Sequence, residues 1–259
     1  MTRALTRTNF HSSRLIRTLA DLAFLEIAVP AVAFGEKLGL WIDFTEAIAL
    51  TGVLNACSAG SESTPHAMPC AAGVGVHEEF AKARVALENT VTKSGAPNVG
   101  RARAELALPT LDVPLDDTKV YAPFRRYHQA HQRDMETRVR TLRARVRDGV
   151  AKASPTLKQL TALDAAFEGI LCEREAKLLS TIPSLLEKRF NHLRRAHLQT
   201  LHGSPPIDDN PDLWMKPGAW LARFCTELQT VLLAELDLRL QPAVGLLEAL
   251  HNEKTLQHV

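Results

Sequence analysis

Aromatic side chains are scarce in this chain: 5% of its 259 residues are Phe, Trp or Tyr, and two of these are tyrosines. Sheet-rich folds lean on aromatic and β-branched residues, so this scarcity, beside abundant Leu, Ala and Arg, points to helices packed through aliphatic side chains. Cysteine is sparse too. Cys57, Cys70, Cys172 and Cys225 lie far apart with no Cys-x-x-Cys pair, which reads as a reducing compartment. No uncharged apolar run approaches the ~18 residues a membrane-spanning helix needs. Arg3, Arg7, Arg14 and Arg17 precede an apolar stretch ending in Ala31-Val32-Ala33, but Asp21 and Glu26 fall inside it, unlike an export signal. The expectation is a cytoplasmic protein with no membrane insertion.

Chemical motifs are missing as well. There is no G-x-S-x-G elbow, no Walker lysine loop and no dinucleotide fingerprint, so no catalytic residue and no cofactor is assigned, and the chain reads as a non-enzyme. His128 and His131 stand three apart on a helix beside Tyr127, but a metal needs further donors at the same level. They read as half-buried histidines bonded to carboxylates. Glu248-x-x-His251 is half of a di-iron bundle motif whose second half is absent. Cys57, His66, Cys70 and His77 lack the close pairing of a zinc site, and Asp208, Asp209 and Asp212 do not form a calcium loop. No metal is expected.

What is present is helical periodicity. With 46% hydrophobic and 23% charged residues, the chain can bury a substantial core. Ser12 and Ser13 can cap a helix reaching about Ile27, Pro30 ends it, and a short helix fits Phe34–Trp41. Asp43 and Glu46 form a capping box for a third helix, whose Ala47, Ile48, Leu50, Val53 and Leu54 are dense enough to predict burial. Residues 57–75 are rich in Ser, Gly, Ala and Pro and read as a flexible linker. One amphipathic helix fits His77–Lys93, and Gly and Pro recur over 94–120.

From Tyr121 the pattern becomes long and regular. Phe124, His128, His131, Met135, Val139, Leu142, Val146 and Val150 form one stripe near the 3.6-residue period. Ser154-Pro155 starts the next helix, with Leu157, Leu160, Leu163, Phe167, Ile170 and Leu178 on one face. Pro183 kinks or restarts it, and Leu186, Phe190, Leu193, His197 and Leu201 continue the stripe. A last helix runs from Pro217 to Leu240, with Pro242 interrupting it before a final turn or two. The expected fold is all-α: an antiparallel bundle of long helices over 121–259, preceded by a small helical N-terminal module (1–56) and a low-complexity linker with one helix (57–120).

Charge is uneven although the net is only +2. Residues 1–118 carry ten basic and thirteen acidic side chains, 119–202 carry seventeen and eight, and 203–259 carry four and eight. Arg126, Arg133, Arg140 and Arg147 recur every seven residues away from the apolar stripe, which predicts an exposed ridge on the basic helix 121–152. A polyanion such as DNA can lie along such a ridge. Acid-before-base pairs four apart (Asp134–Arg138, Glu136–Arg140, Asp148–Lys152) and the lack of interleaved aromatics favour a solvated face instead. Acidic side chains of the last helix, Glu227, Glu235 and Asp237, are the expected counter-charges.

Two stretches carry a family resemblance. Phe34-Gly-Glu-Lys-Leu-Gly-Leu-Trp-Ile-Asp-Phe-Thr-Glu-Ala-Ile-Ala-Leu is one; Arg125-Arg-Tyr-His-Gln-Ala-His-Gln-Arg-Asp-Met with Leu233-Ala-Glu-Leu-Asp-Leu-Arg-Leu-Gln-Pro is the other. Together they resemble the proteobacterial family called domain of unknown function 3348, over Ser12–Leu54 and Tyr121–Leu250. That family has no established catalytic residues to carry across. Its members are similar to the accessory subunit of type III Zorya anti-phage systems, which pair a MotA/TolQ-like proton channel and an OmpA-like peptidoglycan-binding partner with two cytosolic proteins. The resemblance implies a cytosolic interaction subunit of a motor-linked defence complex, with other subunits of that complex as partners. Trp41 and the helix at Thr45–Leu54 are then candidates for a docking or dimerisation surface. A nucleic-acid-binding protein using the basic helix is the alternative.

Overall fold

Every element in the structure, a computed structural model describing residues 13–22, 39, 41–59, 72–93, 106–111, 119–202 and 210–257, is helical. In chain order the helices are α1 (Arg14–Asp21), α2 (Phe44–Ala59), α3 (Ala72–Thr92), α4 (Ala122–Ala151), α5 (Pro155–Leu179), α6 (Ile182–His202), the single turn α7 (Pro211–Trp214) and α8 (Trp220–Gln257). The fold is all-α. Among the described residues no helix is long and apolar enough to cross a membrane.

The helix starts follow from local chemistry. Asp43 and Glu46 close the capping box of α2: the Asp43 amide donates to the Glu46 carboxylate at 2.8 Å, and the Glu46 amide to the Asp43 carboxylate at 2.7 Å. Ser154 caps α5 by accepting from the Leu157 amide at 3.1 Å, with Pro155 in the first turn, where its missing N–H is not needed. Ser13 precedes α1, but its side chain makes no cap hydrogen bond. Gly218, at φ 88°, takes the left-handed backbone in the turn before α8, a conformation that glycine adopts without steric cost.

Two helices run further than the sequence suggests. α8 continues for 38 residues straight through Pro242. An internal proline costs a helix about 3 kcal/mol. Leu240, Ala243, Leu246, Leu247 and Leu250 around it are all buried, and their burial outweighs that cost. α3 begins at Ala72, ahead of the expected His77. Gly73 and Gly75 weaken a helix by only about 1 kcal/mol each, too little to stop one anchored by buried Phe80, Leu87 and Val91. The remainder of the expected linker, 60–71, lies outside the described residues, as does most of the short helix expected at Phe34–Trp41.

The chain divides into two compact units, each drawn from three segments. One comprises Met1–Ile27, Leu87–Met135 and Thr181–Leu238; the other comprises Ala28–Ala86, Glu136–Ser180 and Arg239–Val259. These units cut across the sequential division into 1–56, 57–120 and 121–259, because α3, α4 and α8 each contribute to both.

In the first unit α6 runs antiparallel to α8, pairing Arg189 with Glu227, Phe190 with Phe224 and His197 with Trp220. The scarce aromatics concentrate at this level. Phe124, Phe190 and Phe224 lie with ring centroids 5.0–5.5 Å apart in tilted and edge-on contacts. Tyr121 joins them, its hydroxyl donating to the Pro183 carbonyl at 2.7 Å, and burial pushes that phenol's pKa well up. α1 contributes buried Leu15 and Leu19, and Arg14 pairs with Asp237 at 2.6 Å.

In the second unit α4 and α5 form an antiparallel hairpin closed by Lys152–Ser154. Val139, Leu142, Val146 and Val150 of α4 are buried with Leu157 and Ile170 of α5. Leu160 and Leu178, expected on the buried face of α5, are exposed. α2 packs on α5.

Candidate interaction surface

The arginines of α4 divide by direction. Arg126, Arg133 and Arg140 are exposed, and Arg140 makes the expected pair with Glu136 at 3.0 Å. Arg147 is not on an exposed ridge. Its side chain is only 15% exposed, held by Asp164 at 3.1 Å and Glu168 at 2.6 Å on α5. Arg143 joins the same group, 12% exposed, its Nε donating to Asp164 at 2.9 Å. Two arginines and two carboxylates thus form a nearly buried, electroneutral square. A seven-residue repeat drifts around a helix of 3.6 residues per turn, which carries its last member toward the neighbouring helix.

The counter-charges of α8 fall less simply than expected. Glu227 receives a two-pronged hydrogen bond from Arg189, at 2.8 and 2.7 Å, and a third bond from Arg223 at 3.1 Å. Burial would raise the pKa of Glu227, but those bonds outweigh it and hold the carboxyl below the usual range. Asp237 pairs with Arg14, outside the basic segment. Arg125 pairs with Glu187 of α6. Arg125, Arg143, Arg147 and Arg189 are therefore answered within the fold, the last of them by a carboxylate from outside the basic segment.

His128, His131 and Glu235 are completely buried, where partial burial was expected of the histidines. Glu235 sits 3.7 Å from the His128 Nε2 and accepts from Gln132 at 3.1 Å. His131 packs edge-on against Tyr127, the ring centroids 4.5 Å apart. Burial lowers its pKa to about 4, opposed by the Asp134 charge and the Leu106 carbonyl, so the ring is neutral near pH 7. Among the described residues no group of three His, Cys, Asp or Glu side chains is placed to hold a metal. Glu248 and His251 are both exposed on α8.

A cleft of about 140 Å³ lies in the second unit, lined by Arg143, Glu168, Cys172, Glu175 and Arg239 among others. Cys172 is exposed and donates to the Gly169 carbonyl at 3.5 Å, and Arg239 is held by Glu175 at 3.4 Å. Its ionic groups already pair with one another. Cys225 lies elsewhere, buried, its thiol pushed up to about 12 by desolvation.

The feature that stands apart is α2. Its apolar density predicts burial, yet none of its described side chains is buried. Only Glu46, Leu50 and Val53, one edge of the helix, are half-buried, and Glu46 lies 3.7 Å from Arg174 of α5. On the other side Phe44 is 83% exposed and Ile48 57%, with Leu54 and the nearby Trp41 also exposed. A surface helix normally turns charge outward; this one turns its single carboxylate inward and its largest apolar groups outward. Single exposed apolar residues are ordinary, but a contiguous row of them marks a contact surface. The sequence signal was that Glu46 is the one charged residue across Phe44–Ala59. Apolar density records that a helix needs covering, not whether its own chain covers it.

Comparison with known proteins agrees with the resemblance noted from residues 34–50, 125–135 and 233–242. A family model described as "Protein of unknown function (DUF3348)" matches residues 1–252. No curated protein and no solved structure matches the chain.

Proposed function

The chain belongs to the DUF3348 family of proteins of unknown function, and on that premise we propose that it is a non-enzymatic, cytoplasmic helical interaction subunit that docks through the outward face of α2. The observation that carries this reading is the exposure of Phe44 and Ile48 on a helix whose only carboxylate faces inward. Burying a Phe and an Ile contributes about 1.5–3 kcal/mol each, enough to anchor a specific contact when they are central to it. The ion pairs of the basic segment support the same reading, since they leave fewer arginines to hold a polyanion. The wider setting, an accessory component of a motor-linked anti-phage complex, rests on the similarity of family members to the type III Zorya subunit.

The test is genetic and biochemical together. Phe44→Glu with Ile48→Glu, introduced in the native locus, should abolish phage defence and the recovery of partner subunits with the tagged chain. The purified variant should keep its helical circular dichroism and its melting temperature. Retained defence with an unchanged partner set would sink the proposal.

A further inference from the structure

The cations of α6 are not answered as those of α4 are. From Lys188 to His202 the helix carries Lys188, Arg189, Arg194 and Arg195 and not one Asp or Glu. On α4, by contrast, Glu136 stands one turn before Arg140 and pairs with it at 3.0 Å, the ordinary lacing of a solvated helix face. Lys188, His192 and Arg195 are spaced four and three apart, so they share one face of α6, and all three are exposed. Arg194 turns away from that face and is half-buried.

The neighbouring strip of α8 adds to the imbalance. From Trp220 to Ala234 its only charged residues are Arg223 and Glu227. Glu227 is 13% exposed and accepts from both Arg189 and Arg223, so one carboxylate answers two guanidinium groups. The Arg223 side chain still stands 61% exposed. Arg189 lies three residues before His192, which joins the cations of the two helices into one patch. Lys188, Arg189, Arg195 and Arg223 against Glu227 leave a net charge of +3, without counting His192. Ser184, Gln199 and Thr226 border the patch as exposed, uncharged hydrogen-bonding groups.

We infer that this α6–α8 patch docks a carboxylate-rich segment of a partner protein. The sign of the charge selects an anionic partner, and the size of the patch selects its kind. Lys188 to Arg195 spans about 10 Å, two turns of helix, which matches carboxylates three, four and seven apart on a partner helix. Nucleic acid fits it less well. Non-specific binding to DNA draws on about six to ten phosphate contacts, more than a net charge of +3 can neutralise. The tryptophans at this end of α6 and α8, Trp214 and Trp220, are both buried and offer no platform for a base. The patch belongs to the first unit and α2 to the second, so this is a separate docking face of opposite chemistry, and it does not rest on the reading of α2.

The experiment uses the full chain and a labelled synthetic helical peptide with Glu at every third or fourth position, read by fluorescence anisotropy. Duplex DNA and phosphatidylserine vesicles are titrated beside it at the same salt. The peptide should bind, and rising salt should weaken it. Lys188→Gln, Arg195→Gln and Arg223→Gln together should weaken it about tenfold, with unchanged circular dichroism, while Arg126→Gln with Arg133→Gln should leave it as it was. Phe44→Glu with Ile48→Glu should also leave it unchanged, which separates failure of this inference from failure of docking through α2. A photo-reactive group on the peptide, used with the wild-type chain, should attach within residues 184–199 or 219–230, a readout that stands even if the triple variant misfolds. Attachment to α4, full binding by the folded triple variant, or no binding by the wild type overturns the inference. Tighter binding of DNA or vesicles than of the peptide overturns the choice of an acidic protein segment.

Discussion

Replacing Asp164 by Asn removes one charge from the square formed by Arg143, Arg147, Asp164 and Glu168 and changes almost nothing in shape. Asp164 accepts from Arg143 at 2.9 Å and from Arg147 at 3.1 Å, and both arginine side chains are at least 85% buried. With the carboxylate gone, two guanidinium groups must share Glu168, and one positive charge is left unanswered in a poorly solvated place. Breaking one partner out of a fully buried ion pair costs about 3–5 kcal/mol. Residual water access lowers that to about 2–3 kcal/mol. For a chain of this size, each kcal/mol moves the melting temperature by about 2–4 °C, so the loss is roughly 5–10 °C. Arg140→Gln, which removes an exposed pair on the same helix, should cost less than about 0.5 kcal/mol. The assay is urea unfolding of both variants and of Asp164→Asn with Arg147→Gln. The double variant should recover about 1–2 kcal/mol of the single-site loss, because it removes the stranded charge. If Asp164→Asn costs no more than Arg140→Gln, the square does not hold the hairpin and the argument fails.

Three further outcomes follow from the same geometry. His131, with its pKa lowered from 6.5 to about 4, stays neutral when folded while the unfolded chain takes up a proton. Stability should therefore fall as pH drops from about 6.5 toward 4, by up to about 3 kcal/mol, and a His131→Leu variant should lose that slope in unfolding titrations. Gly149→Ala should destabilise the protein by about 1 kcal/mol or more despite alanine's better helix propensity, since its Cβ would collide with Val76; adding Val76→Ala should restore stability by thermal melt. Replacing Arg126, Arg133 and Arg140 together by Gln should change stability by less than about 1 kcal/mol, and neither form should bind duplex DNA near physiological salt by fluorescence anisotropy.

The long helices were legible because periodicity is a property of one segment at a time. Every member of the stripe from Phe124 to Val150 is buried, and both the capping box at Asp43 and the start at Ser154-Pro155 form as read. The misreadings share a physical cause: each depends on what lies opposite. Pro242 does not break α8, because leucines on both sides of it are held in a core. Arg147 turns inward because Asp164 and Glu168 wait on another helix, seventeen or more positions away. α2 is apolar because it needs covering, but among the described residues only its edge at Glu46, Leu50 and Val53 is half-buried. That difference between needing cover and having it is invisible in composition and visible at once in side-chain exposure.

Hydroxyl-radical footprinting of Phe44 tests the central claim most directly, comparing the protein inside its own cells with the purified chain at high dilution. If the outward face of α2 is an interaction surface, Phe44 should be strongly oxidised in the dilute chain and protected several-fold in cells, while Leu178 reacts equally in both. Equal oxidation of Phe44 in the two settings would show that nothing covers this face where the protein works, and would contradict the account.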